Sequence, residues 1–538
     1  MNKSDLRRKV AELFIVRASG YNLDSQRLYP HLEACNQDLK RLLEAGVGGV
    51  IFMGGTVKEL EIRCNILKKW AGKPLLLCAD IEEGLGQRFY GGTDFVPPMG
   101  IAQIYKKDNS LGLSLAEKIG YFTGKEAKNI GLNWLLSPVC DINNNPHNPV
   151  INLRAWGEDP ETVKSLTSAY TRGVSRSNIL TCAKHFPGHG NSEIDSHLDL
   201  PIIDNDFSKL NNFELIPFKS LIDQGINSVM VGHLLFTNID PIYPATLSKK
   251  LVNNLLRIQL KFDGLVVTDA LLMKSISNNY SSGIAAVMAF DAGIDLLLMP
   301  ENIDEAIDAL TDAFYSDKIS LERLNISRER RKKQIDLIGN QNQFKDEESN
   351  SKFLFEASQF SKYLIKESIS FRGNYIKKIN NNDINLIRVD NFDLVSKKFI
   401  PALSFPKSLG FKNLILHPES ISPFQNNNKF LELEQIGSGK ILIQLFVRGK
   451  PFVGSDYHND YWLEAINILE IEERLLGVIV YGCPYLYEKI IKIVHKSIPL
   501  AYSPSQTEEA QKQILSRVFE SKIDKNEIYK NPSKQFTD

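Results

Sequence analysis

Eight short apolar runs recur along the first 300 residues of this chain, each separated from the next by enough residues for a helix. The intervening segments carry apolar residues at helical spacing, as at 38–45 and 251–260. Strands that alternate with helices predict a parallel sheet, and eight such units fit a (β/α)8 barrel, with an open doubly wound sheet as the alternative. The predicted strands are 13–16, 49–53, 75–80, 133–141, 179–184, 228–233, 265–269 and 295–299.

The rest of the chain predicts a second, smaller α/β domain. Two helices are expected within 301–338, followed by a polar linker at 339–352 that is rich in Asn, Gln and Asp. A helix is expected at 353–368, and apolar runs then return at 384–389, 414–416, 441–447, 478–481 and 498–502. The predicted organisation is therefore a barrel over 1–338, a linker over 339–352 and an α/β domain over 353–538.

Charge and composition narrow the choice of partners and compartment. Lys and Arg total 64 residues and Asp and Glu also total 64, so the net charge predicts neither nucleic-acid binding nor capture by an anionic membrane.

The amphipathic start predicts no signal peptide, and no apolar run is long enough for a membrane span. Six dispersed cysteines without a Cys-x-x-Cys pair predict reduced thiols in a cytoplasmic protein. No Gly-x-Gly-x-x-Gly turn follows a strand, so we expect no nucleotide cofactor. Oligomeric state is left without a prediction.

The segment 184–197 concentrates the chemistry of the chain: Lys-His-Phe-Pro-Gly-His-Gly-Asn-Ser-Glu-Ile-Asp-Ser-His. Pro187 and two nearby glycines disfavour a helix, so the segment predicts the end of a buried strand that opens into a polar loop. His185 and His189 have the i, i+4 spacing of helical metal ligands, but without a helix that spacing does not align them. We therefore expect no metal here.

The carboxyl ends of the predicted strands bring further polar groups to one face, where barrels carry their reaction sites. Taken singly, these residues have structural alternatives: a buried ion pair for Asp80, a helix cap for Asp269 and a core histidine for His233. Taken together, they predict a site. The group comprises Asp80, Glu82, Arg154, Lys184, His185, His233 and Asp269.

Two sets of residues predict reaction chemistry. Asp269 ends an apolar strand and is placed as a carboxylate nucleophile for an electrophilic carbon. Asp195 and His197 are spaced i, i+2, so an extended loop would turn both side chains to one side. A carboxylate that orients an imidazole makes a proton donor and acceptor near neutral pH. Surface polarity without function is the alternative for this pair.

These motifs resemble glycoside hydrolase family 3, specifically its bacterial β-N-acetylglucosaminidases. The Lys-His-Phe-Pro-Gly-His-Gly stretch, four further residues and then Asp-Ser-His resemble the family signature. The similarity extends over residues 9 to 338 through blocks in the family order, at 80–89, 152–160, 244–248 and 262–269. Glu83 and Leu85 replace the usual Gly and Arg, and Ala155 and Trp156 replace Ser and Phe. The second half resembles, more weakly, the α/β sandwich that follows the barrel in longer members.

The resemblance implies a retaining exo-glycoside hydrolase that releases terminal β-linked N-acetylglucosamine. Asp269 would be the nucleophile and His197 the acid/base held by Asp195. The implied sugar-binding residues are Asp80, Arg154, Lys184, His185 and, less directly, His233. An imidazole in place of a second carboxylate would also admit phosphorolysis. The substrate would be a small carbohydrate, for example from cell wall recycling, and no cofactor is implied.

Two alternatives remain open at this stage. One is a β-glucosidase-type exo-glycosidase of the same family, with a glutamate from the second domain as proton donor. The other is a catalytically silent glycan-binding protein.

Overall fold

The computed structural model describes residues 2–339, 347–389, 400–416, 436–448 and 459–519. These residues form two compact units. The first contains 2–94, 101–339 and 347–357, and the second contains 95–100 and the described residues from 358 onward. Among the described residues, no helix is both long and apolar enough to cross a membrane.

Short parallel strands form the centre of the first unit. They are β1 (Phe14–Ala18), β2 (Gly49–Phe52), β3 (Gly55–Thr56), β4 (Leu76–Ala79), β5 (Phe89–Tyr90), β6 (Trp134–Leu135), β7 (Cys182–Phe186), β8 (Ile202–Ile203), β9 (Ser228–Val231), β10 (Leu235–Phe236), β11 (Leu265–Thr268) and β12 (Leu297–Leu298). One sheet has the order β12-β1-β2-β4-β6 and a second has the order β11-β9-β7. Isolated parallel pairings, Trp134 with Leu180 and Val267 with Leu296, link the two sheets at both ends. These two sheets contain eight strands, and we call the carboxyl ends of those eight strands the mouth.

Helices alternate with these strands. They are α1 (Lys3–Ala11), α2 (Asn36–Glu44), α3 (Val57–Ala71), α4 (Pro98–Lys107), α5 (Asn109–Asn129), α6 (Pro160–Ser175), α7 (Phe207–Lys209), α8 (Ile216–Asp223), α9 (Lys274–Ser277), α10 (Ser282–Ala292), α11 (Ile303–Tyr315) and α12 (Leu321–Ile338), with π-helical segments at Leu210–Glu214 and Lys250–Gln259. Local sequence sets many boundaries. For example, Asp159 caps α6 by accepting from the backbone N–H of Thr162, and Pro160 occupies the first turn, where a missing amide hydrogen costs nothing.

Strand register shows which side chains face the interior between the two sheets. Arg17 of β1 is paired with Ile51, Ile51 with Cys78 and Cys78 with Trp134, so these four side chains share one face. The indole N–H of Trp134 donates to Ser228 Oγ of the other sheet at 2.9 Å. This shared face therefore points to the interior.

A buried carboxylate fastens α12 to the amino ends of the strands. Asp295 is fully buried and accepts hydrogen bonds from Arg257, Arg323, Arg330, Ser327 and the backbone of Val266. Burial alone would raise the pKa of Asp295, but the guanidinium charges lower it. The network lies at the end of the strands opposite the mouth, so it serves the fold.

The second unit contains a six-stranded sheet in the order β13-β18-β17-β16-β14-β15. All neighbours are parallel except β13 and β18. Its strands are β13 (Ser370–Arg372), β14 (Ile384–Val389), β15 (Lys412–Leu416), β16 (Ile441–Val447), β17 (Leu475–Gly482) and β18 (Leu500–Ser503). The helices are α13 (Glu347–Ser368), which begins in the first unit, α14 (Pro401–Ser408), α15 (Asn459–Ile471), α16 (Pro484–Ile493) and α17 (Glu508–Val518). β16 is buried along its whole length, which matches its uninterrupted apolar sequence.

Every predicted strand overlaps an observed one, although the strand predicted at 133–141 is limited to Trp134–Leu135, and the α/β class is confirmed. Two local differences stand out. Residues 340–346 of the predicted linker 339–352 lie outside the described residues. From Glu347 onward the predicted linker overlaps α13, because the polar start of this helix has no apolar spacing before Phe353. The edge strand β13 was not predicted, since three residues are too few to show a periodic pattern.

Candidate active site

The predicted site residues lie within a strand, shortly after a strand end of the mouth, or in the loops that leave the mouth. Asp80 directly follows β4, His233 follows β9 by two residues and Asp269 directly follows β11. Lys184 and His185 lie within β7, which continues to Phe186, slightly beyond the predicted end of that strand. Arg154 closes a helical turn at Asn152–Arg154, and Asp195 and His197 lie in the loop between β7 and β8.

Four charged side chains form a buried cluster that we call the charge cluster. Arg154 binds Glu82 through two bonds, Nε to Oε2 at 2.8 Å and Nη2 to Oε1 at 2.9 Å. Lys184 Nζ lies 2.7 Å from Glu82 Oε1 and 2.7 Å from Asp80 Oδ1. Two acids and two bases balance, which is the condition under which charges tolerate burial.

The pKa shifts follow from these contacts. Burial alone would raise the pKa of Glu82, but the charges of Arg154 and Lys184 bring it well below its usual value. The pKa of Asp80 is also lowered, because Lys184 outweighs the cost of burial. Both carboxylates are therefore ionised and both cations charged at neutral pH.

A second buried acid, Asp141, holds the end of β7. Its Oδ2 lies 2.7 Å from Nδ1 of His185, and its Oδ1 accepts from the backbone N–H of His189 at 2.7 Å. Burial would raise the pKa of Asp141, but His185 and His189 lower it below its usual value, so an ionised acceptor faces Nδ1. Nδ1 of His185 therefore donates its hydrogen bond to Asp141. The other ring nitrogen, Nε2, forms no hydrogen bond with any residue in the described part of the chain.

Asp269 lies within the electrostatic range of three imidazoles. Burial would raise its pKa, but His185, His233 and His197, together with the backbone N–H of Ala270, lower it to about 2. The hydrogen bond from Ala270 N to Asp269 Oδ1 is 2.7 Å long. The next helix, α9, has Met273 at its N-cap, so the side chain of Asp269 does not cap it. Asp269 is thus an ionised carboxylate without a helix-capping role.

Asp195 and His197 meet through a turn rather than through the extended loop that their spacing suggested. Asp195 Oδ1 accepts from the backbone N–H of His197 at 2.8 Å and lies 2.8 Å from its ring Nδ1. The backbone carbonyl of Asp195 also accepts from the N–H groups of Leu198 and Asp199. Asp195 is fully buried, whereas the side chain of His197 is 21% exposed. The carboxylate therefore fixes both the turn and the orientation of the imidazole.

His189 and His233 bind their own surroundings with both ring nitrogens. His189 lies 2.8 Å from Ser192 Oγ and 2.9 Å from Ser196 Oγ, so it braces the loop that carries His197. Burial lowers the pKa of His189 to about 4, which keeps it neutral. His233 Nδ1 lies 2.7 Å from Thr246 Oγ1, and its Nε2 donates to the carbonyl of Ala270 at 3.0 Å. His233 thus holds the backbone carbonyl of Ala270, the residue that follows Asp269.

Glu82, which was expected at the end of the third predicted strand but was given no role, completes the charge cluster. Asp141, which orients His185, was not predicted as a site residue, although it ends the predicted strand 133–141 and could have been found by that signal. Arg88 donates from Nε to the backbone carbonyl of Asp80 at 3.1 Å. Among the described residues, no group of three or more His, Cys, Asp or Glu side chains is arranged to hold a metal ion.

Comparison with known proteins identifies the family of this chain. The sequence model of the glycosyl hydrolase family 3 N terminal domain matches residues 5–333, and that of the bacterial glycosyl hydrolase family 3 C-terminal domain matches residues 376–520. Together with the parallel α/β fold and the carboxylates at its strand ends, these matches define a glycoside hydrolase class. The chain belongs to glycoside hydrolase family 3, as its motifs indicated.

Individual relatives agree with this assignment. The chain is 33% identical over 312 residues to β-hexosaminidase A of Pseudoalteromonas piscicida, a match that covers 52% of each protein, so the chain spans about half the length of that relative. It is 36% identical over 273 residues to a β-hexosaminidase of Stenotrophomonas maltophilia strain K279a, covering 50% of this chain and 80% of that protein. A family 3 β-N-acetylglucosaminidase from Paenibacillus sp. str. FPU-7 superposes with a TM-score of 0.73 at 26% identity and covers 95% of this chain and 96% of its own.

Proposed function

We propose that this protein is a retaining exo-glycoside hydrolase that releases terminal β-linked N-acetylglucosamine, built on a (β/α)8 barrel. The names of its relatives, β-hexosaminidase and β-N-acetylglucosaminidase, support the choice of sugar. The observation that carries the proposal is the pairing of an ionised carboxylate, Asp269, with the Asp195–His197 dyad at the same mouth. The charge of His197 contributes to lowering the pKa of Asp269, so the two side chains lie within electrostatic range of each other.

In the first step, a carboxylate oxygen of Asp269 attacks C1 of the sugar as the glycosidic C–O bond breaks. His197, with Nδ1 held by Asp195, gives the proton of Nε2 to the departing oxygen. The products are a glycosyl ester on Asp269 and a free alcohol. A pKa of about 2 keeps the nucleophile ionised throughout the neutral range.

In the second step, His197 takes a proton from water as the water oxygen attacks C1. The ester bond breaks, Asp269 regains its negative charge and the sugar leaves with its original β configuration. Inorganic phosphate could replace water as the acceptor, because a neutral imidazole repels it less than a second carboxylate would. The product would then be a sugar 1-phosphate.

The charge cluster provides the binding groups for the sugar. Asp80 accepts hydrogen bonds from ring hydroxyls, Arg154 and Lys184 donate to them, and His185 offers Nε2. Charged partners make such hydrogen bonds stronger than neutral ones. His233 lines the same mouth, and because protein groups engage both of its nitrogens, its role is to hold the peptide behind Asp269.

Product analysis tests the proposal. The protein is incubated in parallel with chitobiose and with muropeptide-derived disaccharides, with and without phosphate, and the anomers are followed by proton NMR. We expect β-N-acetylglucosamine as the first product, and the 1-phosphate where phosphate competes with water. An initial α anomer would contradict retention.

Aryl glycosides separate the alternatives. We expect turnover of an aryl β-N-acetylglucosaminide and little turnover of an aryl β-glucoside. The reverse preference would favour the β-glucosidase alternative. Binding of both glycosides without turnover of either would indicate a glycan-binding protein.

A further inference from the structure

Arg17 is a charged residue at the mouth to which neither the motifs nor the proposed mechanism give a role. It lies on β1 and shares the interior face with Ile51, Cys78 and Trp134. Its Nε is buried without a hydrogen-bond partner. The guanidinium carbon lies 5.0 Å from the centre of the ring of Tyr29, which is 48% exposed. Arg17 is therefore a stacked, inward-facing cation with an accessible aromatic neighbour.

The guanidinium of Arg17 makes no ion pair or side-chain hydrogen bond with any residue that the structure describes. Glu33 is the acid that faces it from the loop after β1. One oxygen of Glu33 accepts from the backbone N–H of Tyr29 at 3.0 Å, while the other is buried without a partner. Arg154, by contrast, is paired with Glu82 through two hydrogen bonds. Arg17 thus retains donor capacity that an external group could use.

The electrostatic neighbours of Arg17 place it beside the sugar site. Burial lowers the pKa of Arg17, and the nearby charge of Arg88 lowers it further. Glu33, Tyr29 and Asp80 act in the opposite direction and raise this pKa. Asp80 is itself ion-paired to Lys184, and Arg88 bonds to the backbone of Asp80. Two cations, Arg17 and Arg88, therefore lie near one another beside an acid that is already paired.

We propose that Arg17, stacked on Tyr29, forms a subsite for an anionic substituent of the substrate sugar, a phosphate or a carboxylate. A planar guanidinium binds either group through two parallel hydrogen bonds, and an aromatic ring beneath it fixes its plane. The inference deepens the proposed function, on which it rests for the orientation of the sugar.

That orientation indicates which side of the sugar carries the charge. Asp269 and Asp80 follow strands of different sheets, β11 and β4, and C1 must approach Asp269. The hydroxyls that reach Asp80 are then on the side of the ring away from C1. Because Arg17 neighbours Asp80, the substituent belongs on that same side, at C4 or C6, and not on the leaving group.

The test compares three aryl glycosides: 4-nitrophenyl β-N-acetylglucosaminide, its 6-phosphate and its 6-carboxylate. We expect kcat/KM to be higher for an anionic substrate than for the neutral one, and the two anionic arms distinguish phosphate from carboxylate. Arg17→Gln should lower kcat/KM for the preferred anionic substrate by about 10- to 100-fold and change the neutral substrate by less than about threefold. Arg17→Lys should restore part of the loss because it keeps the charge. Arg172→Gln, which removes a 53% exposed surface arginine, is the control and should change neither.

The outcomes separate this inference from the proposed function. If the neutral substrate is hydrolysed while neither anionic substrate is preferred, the subsite is wrong and the function stands. Equal losses on all substrates in Arg17→Gln, accompanied by a lower Tm, would show that Arg17 only supports the loop after β1. If no substrate is hydrolysed, the proposed function fails. Calorimetric binding of N-acetylglucosamine 6-phosphate and of N-acetylglucosamine then decides the inference: tighter binding of the phosphate, lost in Arg17→Gln, supports it, and equal affinities overturn it.

Discussion

Each buried charge of the charge cluster is stabilised by its ion-pair partners. Glu82→Gln would leave Arg154 and Lys184 with one fewer negative charge in a cluster where the Glu82 side chain is 3% exposed and the Lys184 side chain 1% exposed. Breaking a buried pair costs about 3–5 kcal/mol, so we expect the free energy of unfolding to fall by that amount. Urea unfolding measures it. Glu161→Gln breaks an exposed pair with Lys164 and should cost less than about 1 kcal/mol. If both variants lost a similar free energy of unfolding, the burial of the charge cluster would be contradicted.

Glu214 should make stability depend on pH. It is buried beneath the loop after β7, one of its oxygens lacks a partner, and burial together with Asp141 raises its pKa from 4.5 to about 8. A raised folded pKa stabilises the protein fully below the unfolded pKa, and that contribution is lost as pH rises toward the folded pKa. Between about pH 4.5 and 8, the stability of the wild type should therefore fall relative to Glu214→Gln by at most about 1.4 kcal/mol per pH unit.

Urea unfolding of both proteins at pH 5, 6, 7 and 8 measures this difference. A constant offset across the series would show that Glu214 ionises without cost and would contradict the effect of burial.

The two proposed catalytic groups should respond differently to the leaving group. Asp269→Ala should abolish turnover of every substrate, because no ester can form. His197→Ala should spare aryl glycosides with very acidic phenols, which need little protonation, and should slow alkyl glycosides by about 100-fold or more. The kcat values for a phenol series measure the slope. Equal losses across the series would contradict the acid/base role of His197.

At the scale of single residues, the sequence indicated which residues lie at the site better than it indicated which residues they bind. Asp80, Lys184 and Asp269 follow from strand ends, because a parallel sheet gathers those ends on one face. The bidentate pairing of Glu82 with Arg154 does not follow, since these residues are far apart in sequence and only the fold brings them together. The turn that joins Asp195 to His197 depends on a carboxylate oxygen accepting a backbone N–H, which spacing alone does not specify.

At the scale of elements, close helix packing should outweigh helix propensity. A Cβ on Gly173 of α6 would lie 1.9 Å from the carbonyl oxygen of Glu117 in α5. Alanine is favoured over glycine in a helix by about 1 kcal/mol, so propensity alone predicts that Gly173→Ala stabilises. We expect the opposite, a loss of about 1–3 kcal/mol, because a backbone atom cannot move aside without separating the helices. Thermal and urea unfolding measure the change.

The control for this prediction is Ser165→Ala, at a partly exposed position of the same helix. It should be neutral or slightly stabilising. If Gly173→Ala proved as stable as Ser165→Ala, α5 and α6 would not approach as closely as the structure shows.

Element types were predictable because strand and helix periods are strong signals, whereas element ends were not. The apolar runs predicted every major strand in both units, since most of these runs are buried on both faces. The short pairs β3 with β5 and β8 with β10 have only two residues per strand, which no periodic pattern can reveal. The start of α13 was missed for a related reason, as its first residues are polar.

At the scale of the whole molecule, the cysteines report on the two units separately. None of the six forms a disulfide; five are buried and Cys35 is partly exposed. Burial raises the pKa of Cys64 and of Cys182 to about 12, which suppresses the reactive thiolate. In native protein we therefore expect a thiol reagent to modify Cys35 alone, as counted by mass spectrometry. Modification of a buried cysteine without denaturant would contradict the fold.

Denaturant should then expose the buried thiols in two stages. Cys483 is the cysteine of the second unit, and the other buried cysteines, 64, 78, 140 and 182, lie in the first. A smaller unit buries a smaller fraction of its surface, so we expect the second unit to unfold at lower urea concentration. Labelling should rise from one thiol to two and then to six, with Cys483 identified by peptide mapping at the middle stage. Simultaneous labelling of all five buried cysteines would instead show that the two units unfold as one cooperative structure.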